Sequence, residues 1–308
     1  MGRNLLRACA ALLGLVVVLV VIALVRVAPI DVGGLARRDP GRSALMRERE
    51  REARERGQPY HEVRHPVGLD HIARHLREAV LVAEDDKFFT HDGFDWTGIR
   101  DAARRDLTAH KMVRGGSTIT QQLAKNLWLE SSRTPWRKLE EMFLAVRLER
   151  ALTKRRILEL YLNTIEWGDG VYGIDAAARH WFGMGAGSLD AGQSVRLAAV
   201  IINPRLFSPV APNQRILHRI QLIASRMRRR GAISEYEYRA ALGLPAEAPA
   251  PEVDSTLFAP QDLPGAGQDV APGTSPNPAP EADSFMRERG AAMREPAPVD
   301  SAGSPQLR

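Results

Sequence analysis

Apolar residues form one uninterrupted run near the start of the chain and recur at helical spacing further on. The run 8-ACAALLGLVVVLVVIALV-25 holds 18 residues without a charge, with arginines on both sides. At about 1.5 Å per residue, a helix of that length just crosses a hydrocarbon core of roughly 30 Å. A cleaved signal peptide is the rival interpretation, but no small-x-small cleavage site follows before Pro29. We therefore predict an uncleaved transmembrane anchor over residues 8–28. The flanking arginines only weakly favour residues 1–7 in the cytoplasm.

Between about residues 66 and 242, apolar residues lie three or four positions apart, as on the buried faces of helices. The sets are Leu76, Val80 and Ala83; Trp136, Leu139, Phe143 and Val146; and Ile157, Leu160, Tyr161 and Ile165. No run alternates strictly over six residues, so few strands are expected. The pattern predicts a mainly α domain over residues 59–242.

The segments on either side of this domain differ from it in composition. Residues 29–58 combine a stretch rich in glycine and proline with the charged stretch 44–57, and we predict a linker followed by a helix. That helix is either solvated on all sides or a juxtamembrane helix whose arginines meet lipid head groups. Residues 243–308 are rich in proline and alanine and poor in apolar bulk, which predicts a disordered tail.

Charge and cysteine content narrow the classes of partner and site. The formal net charge is +6 and the pI about 9.8, which suits nucleic acid, a phosphate-bearing substrate or an anionic membrane surface. The single cysteine, Cys9, excludes an intramolecular disulfide and a cysteine-based metal cage.

The stretch 84-EDDKFFTHDGFDW-96 mixes acids with aromatic residues that need burial. Glu84 ends a predicted helix and adjoins its apolar stripe. A carboxylate at such an edge is partly desolvated, which raises its pKa and suits it to proton transfer. The alternative is an acid at a helix C-terminus that is simply left in solvent.

The stretch 114-RGGSTITQQLAKN-126 predicts a glycine turn that opens onto a helix capped by Ser117 or Thr118. Amides and a lysine one turn into such a helix suit a phosphate or a sugar. The stretch lacks the GKS/T order of a nucleotide P-loop. An ordinary capped helix is the alternative.

In residues 133–150, Thr134 and Pro135 predict an N-cap and a first helical position. The following helix is apolar on two sides, so we expect burial, with Arg137 and Glu141 facing a cleft or each other. A plain surface ion pair four residues apart, of about 0.3–0.5 kcal/mol, is the alternative.

Four motifs in order make the chain recognisable: EDDKFFTHDG, GGSTITQQLAKN, RKLEE and 154-KRRILELYLNTIEWGDGVYGIDAAARHWFG-183. Over roughly residues 60–215 they resemble the peptidoglycan glycosyltransferases of family 51, above all the monofunctional, membrane-anchored biosynthetic members. The resemblance implies a mostly helical, lysozyme-like domain with a second small lobe against the membrane. It also implies a single-pass protein of the cell inner membrane with a periplasmic catalytic domain.

Members of that family polymerise lipid II in cell wall biogenesis, by inverting transfer of the growing chain to the acceptor sugar 4-hydroxyl with release of undecaprenyl pyrophosphate. By this resemblance Glu84 is the general base, and Glu141 assists donor binding or the departing pyrophosphate. Asp85, Phe88, His91 and Gly93 belong to the motif of the base and are expected to brace it. The residues expected to hold phosphate oxygens or the donor sugar are Gly116, Ser117, Thr118, Gln121, Gln122, Lys125, Asn126, Arg133, Arg137 and Lys138.

No cofactor is required by the resemblance, although a divalent cation, Mg²⁺ or Mn²⁺, is compatible with the pyrophosphate. The expected partners are lipid II, the nascent glycan chain, membrane lipids and proteins of cell-wall synthesis or the divisome. Nucleic acid is not expected, because no binding module is visible.

Three other functions compete with this prediction. A bifunctional penicillin-binding protein is excluded, because none of the five lysines has a serine three positions earlier. A lysozyme-like hydrolase would lack the cationic cluster. A non-enzymatic scaffold would have been favoured by loss of Glu84 or Glu141, and both are present.

Overall fold

The computed structural model describes residues 2–96, 100, 117–130 and 134–245. Ten α-helices lie within these residues: α1 Gly2–Val27, α2 Ala44–Glu55, α3 Arg74–Glu84, α4 Ile119–Trp128, α5 Pro135–Ala151, α6 Lys154–Thr164, α7 Ile174–Phe182, α8 Ala191–Val200, α9 Gln214–Arg229 and α10 Glu235–Leu242. The predicted disordered tail lies almost wholly outside the described residues.

In the part of the chain that the structure describes, three short strands, β1 Val63–Arg64, β2 Glu166–Gly168 and β3 Val171–Tyr172, form one sheet in the order β1-β3-β2. Strand β1 runs parallel to β3, with Val63 opposite Val171, and β2 runs antiparallel to β3. The prediction of a mainly α domain with few strands is therefore confirmed.

Two groups of helices build the core that positions the site. Helix α3 packs against α8 and α9, while α4 packs against α2, α5 and α6. The ends of α3 and α4 that carry the candidate residues therefore meet between these groups. One continuous cluster of buried apolar side chains runs through both groups.

Side-chain caps explain where several helices begin. Each of the capping side chains accepts a hydrogen bond from a backbone N–H of the first turn, which would otherwise lack a partner. They are Ser43, Thr118, Thr134, Thr153, Asp190, Asn213 and Ser234. The predicted cap at Thr134, with Pro135 at the start of the helix, is confirmed.

Helix α5 buries its two apolar sides to different degrees. Leu144 and Leu148 are fully buried in the core, whereas Phe143 and Val146 are only half-buried. The half-buried pair lines a groove with Leu24 of α1. Both apolar sides predicted for α5 are therefore used, one fully buried and the other half-buried, with Phe143 packed against the core. Periodicity reports two apolar sides but does not say which one meets the core.

The N-terminal helix α1 has the properties predicted for a membrane anchor, although it starts earlier than residue 8. Its segment Cys9–Val27 has a mean hydropathy of 3.0 and only 11% of that segment is buried. A helix this apolar and this exposed is compatible with a lipid environment.

Helix α2 matches neither interpretation of the charged stretch completely. Leu45 and Met46 are buried and pack with Tyr172. Arg49 donates to the buried Glu166 carboxylate at 3.0 Å. One face of α2 is therefore anchored to the protein body, because its arginines find acidic partners there that the sequence pattern does not reveal.

Candidate active site

Glu84 lies at the last position of α3, where the helix ends at the junction between the two helix groups. Its side chain is 13% exposed, and Arg219 of α9 donates to its Oε1 at 2.6 Å. Gln122 of α4 donates to its Oε2 at 3.0 Å. Both carboxylate oxygens are thus held in place, so the interpretation of Glu84 as a free surface acid is wrong.

A chain of hydrogen bonds orients the amide of Gln122 toward this carboxylate. The phenol of Tyr161, fully buried on α6, donates to Gln122 Oε1 at 3.1 Å. Burial, with the nearby Glu84 charge, raises the pKa of this phenol well above its ordinary value, so it remains a donor at neutral pH. Because Gln122 Oε1 accepts from Tyr161, the Nε2 group of Gln122 points toward Glu84 and donates to it.

Burial raises the pKa of the Glu84 carboxyl above its ordinary value. The Arg219 cation and the hydrogen bond from Gln122 oppose this effect, and so does the charge of Lys125. The balance favours a carboxyl that can accept a proton closer to neutral pH than an exposed glutamate.

Asp85, the next residue, is also buried but has different hydrogen-bond partners. His91 donates from Nε2 to its carboxylate at 2.9 Å, and the backbone N–H of Ile119 donates at 2.9 Å. The Gly93 N–H donates to His91 Nδ1 at 3.1 Å, so the proton of this imidazole lies on Nε2. Asp85 therefore ties the end of α3 to the start of α4.

Gly93 is needed for this arrangement because its φ is +92°, and an added Cβ would approach Glu149 Cγ at 3.2 Å. Its carbonyl accepts a hydrogen bond from Thr118 Oγ1 at 2.7 Å. The loop after Glu84 is thus closed onto the N-terminus of α4 by residues of the first motif.

Several predicted contact residues are used by the fold itself. Thr118 and Gln121 form a reciprocal capping box at the start of α4, and the Gln121 side chain is buried. Phe88 is 1% exposed, under the ammonium of Lys154 at 4.5 Å. In this structure Gln121 thus caps α4 and Phe88 packs beneath Lys154, and the donor contact expected of Gln121 stays a prediction. Asn126 is also buried.

Glu141, on the core-facing side of α5, is held by two cations. Arg137 donates to its Oε2 at 2.8 Å, and the Lys138 ammonium pairs with its Oε1. The Glu141 side chain is 4% exposed, so the expectation that Arg137 and Glu141 face each other is confirmed and the exposed-pair alternative is wrong. Lys138 also donates to Ser117 Oγ at 3.1 Å, which joins α5 to the residue just before α4.

Lys125 connects the two acids electrostatically. Burial lowers the pKa of its ammonium, Glu141 and Glu84 oppose that effect, and the neighbouring cations Arg137 and Lys138 add to it. Three cations and two acids therefore act on one another across α3, α4 and α5. Such a cluster favours a bound anion with several oxygens.

Sequence reasoning missed Arg219, which is 135 positions from Glu84 and outside all four motifs. Its position on an amphipathic, arginine-rich helix carried no signal that distinguished it from the other arginines there. Two predicted residues, Gly116 and Arg133, lie outside the described residues.

The Glu141 carboxylate is paired with cations and not with further acids. Within the described part of the chain, no group of three or more His, Cys, Asp and Glu side chains is arranged to hold one. The nearest partners of Glu141 are cations, which repel a metal ion.

The amino-acid sequence is similar to a known protein family and to several curated proteins. A family model described as Transglycosylase matches residues 50–228. The chain is 47% identical over 191 residues to the biosynthetic peptidoglycan transglycosylase of Methylobacillus flagellatus, covering 62% of this chain and 83% of that protein. It is 47% identical over 189 residues to the protein of the same name from Nitrosomonas eutropha, covering 61% and 77%. It is 49% identical over 177 residues to that from Bordetella pertussis, covering 56% and 73%.

Proposed function

This chain belongs to the transglycosylase family, and we propose that it is a peptidoglycan glycosyltransferase in which Glu84 is the general base of an inverting transfer. Its mainly helical domain has the lysozyme-like fold of that family. Its substrates are lipid II and the growing glycan chain, and its product contributes to the cell wall. The observation that carries the assignment of the base is the buried Glu84 carboxylate, held by Arg219 and Gln122 with a raised pKa.

In the proposed step, one proton is transferred, one glycosidic bond forms and one bond from the donor sugar to pyrophosphate breaks. Glu84 takes the proton of the acceptor sugar 4-hydroxyl as its oxygen attacks the anomeric carbon of the donor. The bond from that carbon to the pyrophosphate oxygen breaks, and undecaprenyl pyrophosphate leaves with the electron pair. A donor with an α-linkage then gives a β-linked product without a covalent intermediate.

The cationic cluster supports the other half of the step. Negative charge develops on the pyrophosphate as it leaves, and fixed cations stabilise that charge without reorganising. Lys125, Arg137 and Lys138 supply three such cations, with Glu141 holding two of them in position. No part of this step uses a metal ion. The divalent cation stays a prediction, which activity measured with and without a chelator would test.

The cellular setting is proposed from the apolar helix and the nature of the substrate. We place α1 across the inner membrane once, with the catalytic domain in the periplasm, beside membrane lipids and proteins of cell-wall synthesis or the divisome. Protease digestion of intact and opened spheroplasts tests the orientation: the domain should be cleaved in intact spheroplasts.

The direct test uses full-length protein in detergent with labelled lipid II and size-resolved products. Glu84→Gln should reduce kcat by about 10²–10⁴-fold with little change in lipid II binding, because the amide cannot accept the proton. The matched control is Asp86→Asn, since Asp86 is the exposed acid two positions further on. Near-wild-type rates for Glu84→Gln would exclude it as the base. Breakdown of preformed glycan by the wild type would instead indicate a hydrolase.

A further inference from the structure

The segment that connects α1 to α2, residues 28–42 (the connecting segment), is bound to the protein body along its length. Its glycine and proline content is typical of a flexible linker. In the structure, however, arginines on α5, α6 and β1 donate to its backbone carbonyl groups. This pattern is independent of the site described above.

Arg147 of α5 holds the point where the apolar helix ends. Its guanidinium donates to the carbonyl of Val27 and, at 2.7 Å, to that of Ile30. The last carbonyls of a helix lack partners within the helix and carry partial negative charge, so a cation there stabilises the end. A neighbouring ion pair joins Arg26 of α1 to Glu140 of α5 at 2.7 Å.

Arg156 of α6 holds the middle of the connecting segment. It donates to the carbonyl of Leu35 at 2.8 Å, the carbonyl of Arg38 at 2.9 Å and the carboxylate of Asp39 at 3.0 Å. The planar guanidinium presents several N–H groups in a fixed geometry, so one side chain can satisfy all three acceptors.

Burial adds to these hydrogen bonds. Val32 is 3% exposed and Leu35 is 8% exposed, and both belong to the main core cluster. Leu35 lies in a 3₁₀ turn, Gly33–Ala36, which follows Val32 directly, and Asp31 accepts a hydrogen bond from the Gly34 N–H of this turn at 2.9 Å. Arg64 holds the far end through the carbonyls of Pro40 and Gly41. The connecting segment is therefore part of the packed body.

We propose that Arg147 and Arg156 are positioning residues that hold the active-site cleft at a fixed height and orientation relative to the membrane. This inference rests on the proposed function, because its substrate is a lipid-linked pyrophosphate. The prenyl chain of such a substrate keeps the pyrophosphate at the bilayer surface. A cleft joined rigidly to α1 meets that surface in one orientation, whereas a cleft on a flexible tether spends most of its time elsewhere.

The activity test measures a double variant in lipid vesicles and in detergent micelles. Full-length Arg147→Gln/Arg156→Gln should lose at least about tenfold in rate on lipid II embedded in phosphatidylethanolamine–phosphatidylglycerol vesicles. It should keep its rate in detergent micelles, where the substrate reaches the cleft from any side. The matched control is Arg155→Gln, because Arg155 is the adjacent arginine on α6 and pairs only with the exposed Asp70 among the described contacts.

A second measurement does not depend on activity. Spin labels on Cys9, the single native cysteine in α1, and on an introduced Tyr236→Cys, at a 72% exposed position of α10, report the distance between anchor and body. If Arg147 and Arg156 hold the connecting segment, the distance between the two labels should have one narrow distribution in the wild type and in Arg155→Gln. The double variant should broaden it.

Each outcome supports or overturns the proposal. A loss confined to vesicles together with a broadened distribution supports it. Equal losses in vesicles and micelles would mean that the arginines only maintain the fold, and unchanged rates in both would remove any positioning role. A broad distance distribution in the wild type overturns the positioning proposal, whether or not the protein polymerises lipid II. The distance measurement therefore distinguishes failure of this proposal from failure of the proposed function.

Discussion

The ion pair between Arg219 and Glu84 predicts how the activity and the free energy of unfolding of an Arg219 variant depend on pH. Arg219→Gln removes the cation that lies 2.6 Å from the Glu84 carboxylate and keeps a polar side chain of moderate size. Since burial raises the pKa of Glu84 and the Arg219 charge opposes that effect, the variant should have a still higher Glu84 pKa. The acidic limb of its pH–rate profile should move to higher pH.

The size of the effect on stability follows from the exposure of the two side chains. Removing one partner of a fully buried pair costs about 3–5 kcal/mol. Arg219 is 26% exposed and Glu84 is 13% exposed. Gln122 still donates to Glu84 in the variant, so we expect about 2–3 kcal/mol at pH 8. At about 2–4 °C per kcal/mol for a domain of this size, Tm should fall by about 4–12 °C.

The sign of the pH dependence is set by the raised pKa of Glu84 in the folded state. Such a carboxyl favours folding while it is protonated, and that contribution is lost as pH rises through the folded pKa. The deficit of Arg219→Gln should therefore be largest at pH 8. It should shrink as pH falls toward about 4.3, where the unfolded chain also binds the proton.

Thermal unfolding of the full-length protein in detergent, followed by circular dichroism, measures these quantities. Arg229→Gln is the control, because Arg229 is exposed on the same helix. The double variant Arg219→Gln/Glu84→Gln should recover most of the lost stability, since a neutral amide does not need the cation. A deficit that is independent of pH, or a double variant as unstable as the sum of the single ones, would refute the reasoning.

Two further predictions concern the neighbouring acids. Asp85→Asn should lower the free energy of unfolding by about 1–3 kcal/mol, because the neutral amide weakens the hydrogen bonds that the charged carboxylate accepts from His91 Nε2 and the Ile119 N–H; an unchanged Tm in denaturation would contradict this. Glu141→Gln removes the charge that opposes the lowering of the Lys125 pKa. The alkaline limb of the pH–rate profile should therefore move to lower pH, and a limb that stays in place would exclude Lys125 as its source.

Features that depend on neighbours in sequence could be predicted well. The apolar run of α1, the cap at Thr134 and the ion pair of Arg137 with Glu141 four positions on all follow from local spacing, and the structure contains them. Such features arise within one or two helical turns, where chain connectivity already brings the groups together.

The sequence pattern left alternatives open where two sides of one element competed for the core. On α5 the spacing predicts two apolar sides, and the structure fully buries the side that carries Leu144 and Leu148. Gln121 caps its own helix in the structure, and its contact with the donor stays a prediction. A glutamine three residues after a threonine cap serves either purpose, and the local pattern does not distinguish them.

By itself, the sequence determined a mainly helical domain, the caps at the start of α4 and α5, the apolar anchor and the acids and cations available for the chemistry. Only the tertiary structure brought Arg219 to Glu84 across 135 positions and laid the connecting segment on Arg147 and Arg156. Local order is encoded by spacing along the chain. Charge partners and the pKa of Glu84 depend on which distant side chains share its buried surroundings, and packing alone decides that.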